Sequence, residues 1–172
     1  MGFKLLGWPE DKVTLELDYR AFPYAGKFVL PQTGKAVIRE NGKIIAAASF
    51  SANRTDETEL WIRYLSVRHD AQGSGHGANL CRGIINHAIA QGYATVTIAV
   101  NNPYAYETAY RAGMAFTGQE TGIAELVLST DCERSLDRYQ DGLSRFADRD
   151  GIDEAFIAEK HARGPPTVIE RP

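Results

Sequence analysis

The chain has 172 residues, 44% hydrophobic and 24% charged, with a formal net charge of -3 and two cysteines. That is enough to bury one core without disulfides or metal, and the interspersed charges leave no basic stripe for nucleic acid, the mildly acidic balance slightly favouring cationic substrates such as amines. No window approaches the roughly eighteen apolar residues of a membrane span, Trp8-Pro9-Glu10-Asp11-Lys12 breaks the N-terminal apolar run before a signal-peptide core forms, and Leu6 stands where a myristoylation signal has Ser or Thr, so the expectation is a cytoplasmic protein.

Val13 to Leu17 alternates as a first strand, whereas Asp18 to Gly34, with Pro23, Gly26 and Pro31, supports only a short helix or an irregular loop. Lys35 to Arg39 and Lys43 to Ser51 flank Asn41-Gly42, the dipeptide that supplies positive φ at both centres of a type I′ hairpin. A polar loop, Ala52 to Thr58, leads into Leu60 to Val67 and completes a three-stranded meander. After Gln72 to Gly77, a helix runs from Ala78 to Gln91 and ends at Gly92, and Ala94 to Val100 follows as a strand. Strand, helix and strand make one parallel crossover.

Beyond Asn101-Asn102-Pro103 a second helix extends to about Ala112, where Gly113 stops it, and Gly122 to Ser129 reads as the last strand. Thr130 and Glu133 form a capping box ahead of an apolar stripe at Leu136, Tyr139, Leu143 and Phe146. A further helix, Asp153 to Arg163, precedes Gly164-Pro165-Pro166. The fold class is α+β, a mixed, mostly antiparallel sheet with a central parallel crossover and appended C-terminal helices. Residues 1–130 form the main domain; residues 131–172 form a helical extension that covers the sheet, completes a substrate pocket or mediates homodimer contacts.

The chemistry concentrates in Gln72-Gly73-Ser74-Gly75-His76-Gly77. Three glycines at alternate positions before a helix leave backbone N–H groups uncovered, and the helix N-terminus adds its partial positive charge, which makes a seat for phosphate. A Walker loop is excluded, because Gly77 is followed by Ala78-Asn79 and not by Lys-Ser or Lys-Thr. Gly73, Gly75 and Ala78 do satisfy the dinucleotide pattern G-x-G-x-x-A, but Arg68 to Gln72 separate it from its strand. Asn101 and Asn102 also stand where an acid is required, and antiparallel strands precede it. Neither cysteine has a partner at metal or redox spacing, and Cys81 packs in its helix.

Leu65-Ser66-Val67-Arg68, the hexapeptide with Gln72, Gly75 and Gly77 in its signature positions, the following helix and strand, then Asn102, Ala105 and Gly113-Met114 together resemble the GNAT superfamily of acyl-CoA N-acyltransferases. The resemblance covers about Lys35 to Ser129. It implies acetyl-CoA as co-substrate, with the pantetheine arm lying along the backbone of Leu65, Ser66 and Val67 as an added strand. It places the pyrophosphate on the N–H groups of Gln72, Gly73, Ser74, Gly75, His76, Gly77 and Ala78, with Asn102 contacting the cofactor arm. His76 is expected to serve through its backbone, with an exposed ring.

The implied reaction is direct transfer of acetyl to a primary amine of a small molecule, a peptide N-terminus or a lysine. It needs a deprotonated amine, an oxyanion donor and a proton for the thiolate; the resemblance gives the oxyanion to a main-chain N–H near Ser66. Two positions depart from the family. Relatives have a glutamate where this chain has Arg63, leaving Glu59 as a base acting through water, and a tyrosine where it has Ala109. Tyr110, one residue later, is the candidate acid, and its i, i+4 pairing with Tyr106 fits packing as well. The alternative function is a non-catalytic CoA-binding module that acts as a sensor or assembly subunit. Aromatics in Tyr19-Arg20-Ala21-Phe22-Pro23-Tyr24 line an acceptor pocket or cover the sheet.

Overall fold

The computed structural model describes residues 2–170. Met1, where the N-terminal reading begins, and Arg171 and Pro172, which close the expected 131–172 extension, lie outside the described residues. The chain divides into two compact units, Met1–Val96 with Ile169–Pro172, and Thr97–Val168.

In the first unit four strands pair antiparallel in chain order: β1 (Gly2–Gly7), β2 (Gly34–Glu40), β3 (Lys43–Asn53) and β4 (Asp56–Val67). The β2–β3 hairpin turns at Asn41 and Gly42 with φ of 52° and 77°, the double left-handed geometry that Asn-Gly tolerates. The expected polar loop at 52–58 is shorter: β3 continues to Asn53 and β4 begins at Asp56. Asn53 Oδ1 receives the Thr55 N–H at 3.0 Å, so a side chain supplies the turn.

The expected first strand, Val13 to Leu17, is extended but forms no strand ladder; the first strand is β1. Leu15 and Leu17 nevertheless pack on the cluster Phe28, Val37 and Ala47, with Leu6, Ile44 and Tyr64 at its margin. The opposite sheet face meets α1 (His76–Gln91), which buries Leu80, Cys81, Ile84, Ile85 and Ala88. Gly92, at φ 108°, ends α1 by returning its N–H to Ile89 at 3.1 Å.

β5 (Thr95–Val100) follows α1 in the chain. In the second unit its part from Thr97 pairs antiparallel with β7 (Leu126–Ser129), which pairs in turn with β6 (Ala115–Glu120). β6 has no counterpart in the sequence reading; it contains Gly118 at φ 87° and its register shifts between Phe116 and Glu120. Three helices complete the unit: α2 (Pro103–Arg111), α3 (Leu136–Ser144) and α4 (Glu154–Arg163). Ser135, and not the Thr130–Glu133 pair, caps α3 by accepting the Arg138 N–H at 3.2 Å. α3 packs on β6 and α4. Tyr106, Tyr110, Phe116, Tyr139 and Phe146 form the aromatic core of this unit, all fully buried.

Candidate active site

β4 carries the chain to the glycine segment. Ser49 pairs with Tyr64 and Phe50 with Ile62, so Arg63 is left as an unopposed residue in a β-bulge. Past the bulge, Leu65, Ser66 and Val67 pair with Ala48, Ala47 and Ala46. The Ser66 hydroxyl is buried and donates to the Pro23 carbonyl at 2.6 Å, which fastens the 18–30 segment over this part of β4. The same segment sets Tyr24 against Tyr64, tilted, with ring centroids 5.7 Å apart, and buries Phe22, while Tyr19 stays exposed. Its aromatics therefore divide between cover and open surface.

After Val67 the backbone makes a single tight turn, with the Ala71 N–H on Arg68 O at 2.8 Å and the His69 N–H on Ala21 O at 2.9 Å. Gln72 folds its side chain back so that Nε2 donates to Val67 O at 3.2 Å. Gly73 and Gly75 have φ of 83° and 85°, in the left-handed region where a side chain is strained. Gly75 is the N-cap of α1 and offers no side-chain acceptor; the Asn79 N–H bonds to its carbonyl at 3.0 Å. The first-turn N–H groups thus stand at the positive end of a 16-residue helix without a side-chain cap.

The His76 ring is buried, contrary to the exposed ring expected, and its Nδ1 has no hydrogen-bond partner among the described residues. Cys81, one turn further, is fully buried, and burial pushes its thiol up to about 12, far from the thiolate a nucleophile needs.

In the second unit, Asn102 caps α2: its Oδ1 accepts the Ala105 N–H at 2.8 Å and its Nδ2 donates to Asn101 Oδ1 at 3.0 Å. Ala109 is fully buried. Tyr110 is also fully buried, its oxygen accepts the Phe116 N–H at 3.0 Å, and Arg134 lies 5.0 Å from its ring centroid. Burial raises its phenol above the usual range. The phenol expected as the acid is thus a buried hydroxyl engaged with the Phe116 N–H.

Glu59 on β4 accepts from Asn53 Nδ2 at 2.6 Å and from Trp61 Nε1 at 2.7 Å. Among the described residues no group of three or more His, Cys, Asp or Glu side chains could hold a metal ion, and no helix is long and apolar enough to cross a membrane.

An antiparallel meander, a bulged fourth strand and a glycine turn at a helix head without a side-chain cap mark an α+β fold. The sequence profile of the acetyltransferase (GNAT) family matches residues 4–114, and the chain belongs to that family. Among solved structures, a Bacillus subtilis acetyltransferase in complex with CoA is similar at 15% identity and a TM-score of 0.56, over 76% of this chain and 98% of that one. The IAA acetyltransferase from Bacillus cereus ATCC 14579 is similar at 16% identity and 0.55, over 74% and 97%. An N-acetyltransferase from Staphylococcus aureus Mu50 shares 21% identity at 0.48, and the match spans 56% of this chain and only 64% of that one. At these identities the likeness is one of fold. No curated protein matches the chain.

Proposed function

We propose that this protein transfers an acetyl group from acetyl-CoA to a primary amine by direct attack. The observation that carries the proposal is the pair of left-handed glycines, Gly73 and Gly75, ahead of an α1 N-terminus with no side-chain cap. The pyrophosphate is assigned to the N–H groups from Gln72 to Ala78, and the pantetheine arm to the backbone of Leu65, Ser66 and Val67, with Asn102 as a further contact. Family membership supports this cofactor, as does a similar fold described in complex with CoA.

In the proposed reaction the amine nitrogen attacks the thioester carbonyl, whose oxygen is held by a main-chain N–H near Ser66. The C–S bond then breaks, and the thiolate takes up the proton that the amine releases. Glu59, one of three carboxylates on β4 with Asp56 and Glu57, relays that proton through water. With the Tyr110 phenol enclosed, no side chain is assigned as the acid.

A non-catalytic CoA-binding module is the second reading, favoured by Arg63 where relatives have a base and by the burial of Ala109 and Tyr110. Incubation with acetyl-CoA and a panel of small amines, peptides and lysine, read as free-thiol release, separates the two. Binding of CoA by calorimetry without turnover would leave only the module. Gly75→Glu places an anion in the phosphate seat and is expected to abolish CoA binding; retained affinity would remove the seat.

A further inference from the structure

Arg63 occupies the β4 bulge with an exposed side chain, and three contacts fix its guanidinium. Nε donates to Ser51 Oγ at 2.8 Å, Nη2 donates to Ala52 O at 3.2 Å, and the guanidinium carbon lies 5.5 Å from the Trp61 ring centroid. These bonds use one edge of the planar group. The Nη1 end has no partner among the described residues, and Arg63 forms no ion pair. Arg54, in the β3–β4 turn, makes no hydrogen bond or ion pair among them either. Its charge reaches Arg63, whose guanidinium is held below its ordinary range, first by burial and then by Arg54, with Glu59 opposing. Glu59 is itself engaged by Asn53 and Trp61.

Arg63 is thus a guanidinium pre-set in orientation, with one edge unused by hydrogen bonds among the described residues and with the charges of Arg54 and Glu59 both acting on it. Arg63 precedes Leu65 by two residues, roughly 7 Å along a strand. The remaining edge of a guanidinium matches the two oxygens of a carboxylate. An arginine held in advance by Ser51, Ala52 and Trp61 loses little side-chain freedom when it engages one.

We infer that Arg63, assisted by Arg54, binds a carboxylate carried by the acceptor, so that the acceptor is an amine bearing a carboxylate, such as an amino acid or short peptide. This rests on the acetyl-transfer reading for the position of the reacting amine, and it deepens that reading by naming the acceptor class. The attraction is that of one oriented group and not of a basic patch, since Asp56, Glu57 and Glu59 share β4 with Arg63.

The test uses the full chain, loaded with CoA for binding and with acetyl-CoA for turnover, against the twenty amino acids and a set of glycyl dipeptides, each beside its carboxamide. A charge-assisted pair predicts that the carboxylate form exceeds its amide by roughly 10- to 100-fold in kcat/KM or in affinity. In Arg63→Gln that ratio falls to about one while the KM for acetyl-CoA is unchanged, and in Arg54→Gln it falls part of the way. Thermal melts of both variants separate this from loss of fold, since a merely structural role for Arg63 would lower stability and leave the ratio intact. Equal handling of acid and amide by the unmodified protein, a ratio untouched by either substitution, or neither binding nor turnover of any carboxylate-bearing amine overturns the inference. Arg63-dependent binding without thiol release would sustain it and remove acetyl transfer; turnover confined to uncharged amines would do the reverse.

Discussion

The Ser66 hydroxyl donates to the Pro23 carbonyl at 2.6 Å, a bond between residues 43 positions apart in sequence. It ties the strand segment proposed to hold the cofactor arm to the irregular segment that covers β4. Ser66→Ala removes the donor and leaves a carbonyl without its partner, a loss of about 1 kcal/mol. A lowering of Tm by roughly 2–4 °C follows for a chain of this size. Hydrogen exchange is expected to quicken at Ala21 and Phe22, whose N–H groups bond within the same segment. Unchanged exchange there would show that the Tyr24–Tyr64 contact holds the segment without the serine.

Tyr110→Phe keeps the ring in its contacts with Tyr106 and Tyr139 and removes the hydroxyl that accepts the Phe116 N–H and meets the Tyr106 hydroxyl. The expected result is a loss of about 1–2 kcal/mol in stability, because a buried backbone donor is left unpaired, with thiol release by the folded protein unaltered. A fall in kcat at unchanged stability would return the acid role to Tyr110.

The parts of the fold legible in the sequence were those where local chemistry leaves one solution. Asn41-Gly42 admits two consecutive positive φ values, and the glycine segment announces a turn into a helix. What failed was the step from pattern to partner. Leu15 and Leu17 alternate because both meet one apolar cluster, yet among the described residues a single backbone bond, the Leu15 N–H to Phe28 O at 2.9 Å, stands where a ladder was expected. Alternation reports burial and not strand pairing. β6 was hidden by Gly118 and by its polar end at Gln119 and Glu120. For Tyr106 and Tyr110 the shared face was legible, but its depth was not, since burial depends on Tyr139 and Phe146, which are distant in sequence. The unopposed place of Arg63 depends on the bulge, which periodicity does not reveal.

Lys35 is fully buried on β2, and its Nζ donates to Val13 O at 2.9 Å, Leu30 O at 2.8 Å, Thr33 O at 2.7 Å and Thr33 Oγ1 at 2.9 Å. One ammonium group thereby closes both ends of the 13–33 segment. Lys35→Met preserves much of the volume and strips the donors from three carbonyls, at a cost of about 2–4 kcal/mol. Limited proteolysis is expected to cut first between residues 13 and 33. Cleavage elsewhere, with stability retained, would show that the segment is held by Phe28 and the Ser66 bond alone.

Cys81 supplies a prediction about pH. Its folded-state thiol titrates at about 12 against an ordinary value of 9.0, because burial penalises the thiolate. The folded state therefore holds this proton more tightly than the unfolded state. The stability it contributes is fully present below about pH 9 and declines as pH rises from there toward 12. Urea unfolding of the protein and of Cys81→Ala, compared at pH 8 and at pH 10.5, should show the gap between them narrowing at the higher pH. In the native state at pH 8, iodoacetamide is expected to modify Cys132, which is only half-buried, well before Cys81. Equal labelling of the two thiols would mean that α1 opens at its second turn on the timescale of alkylation, and this turn would then be the weak point of the helix.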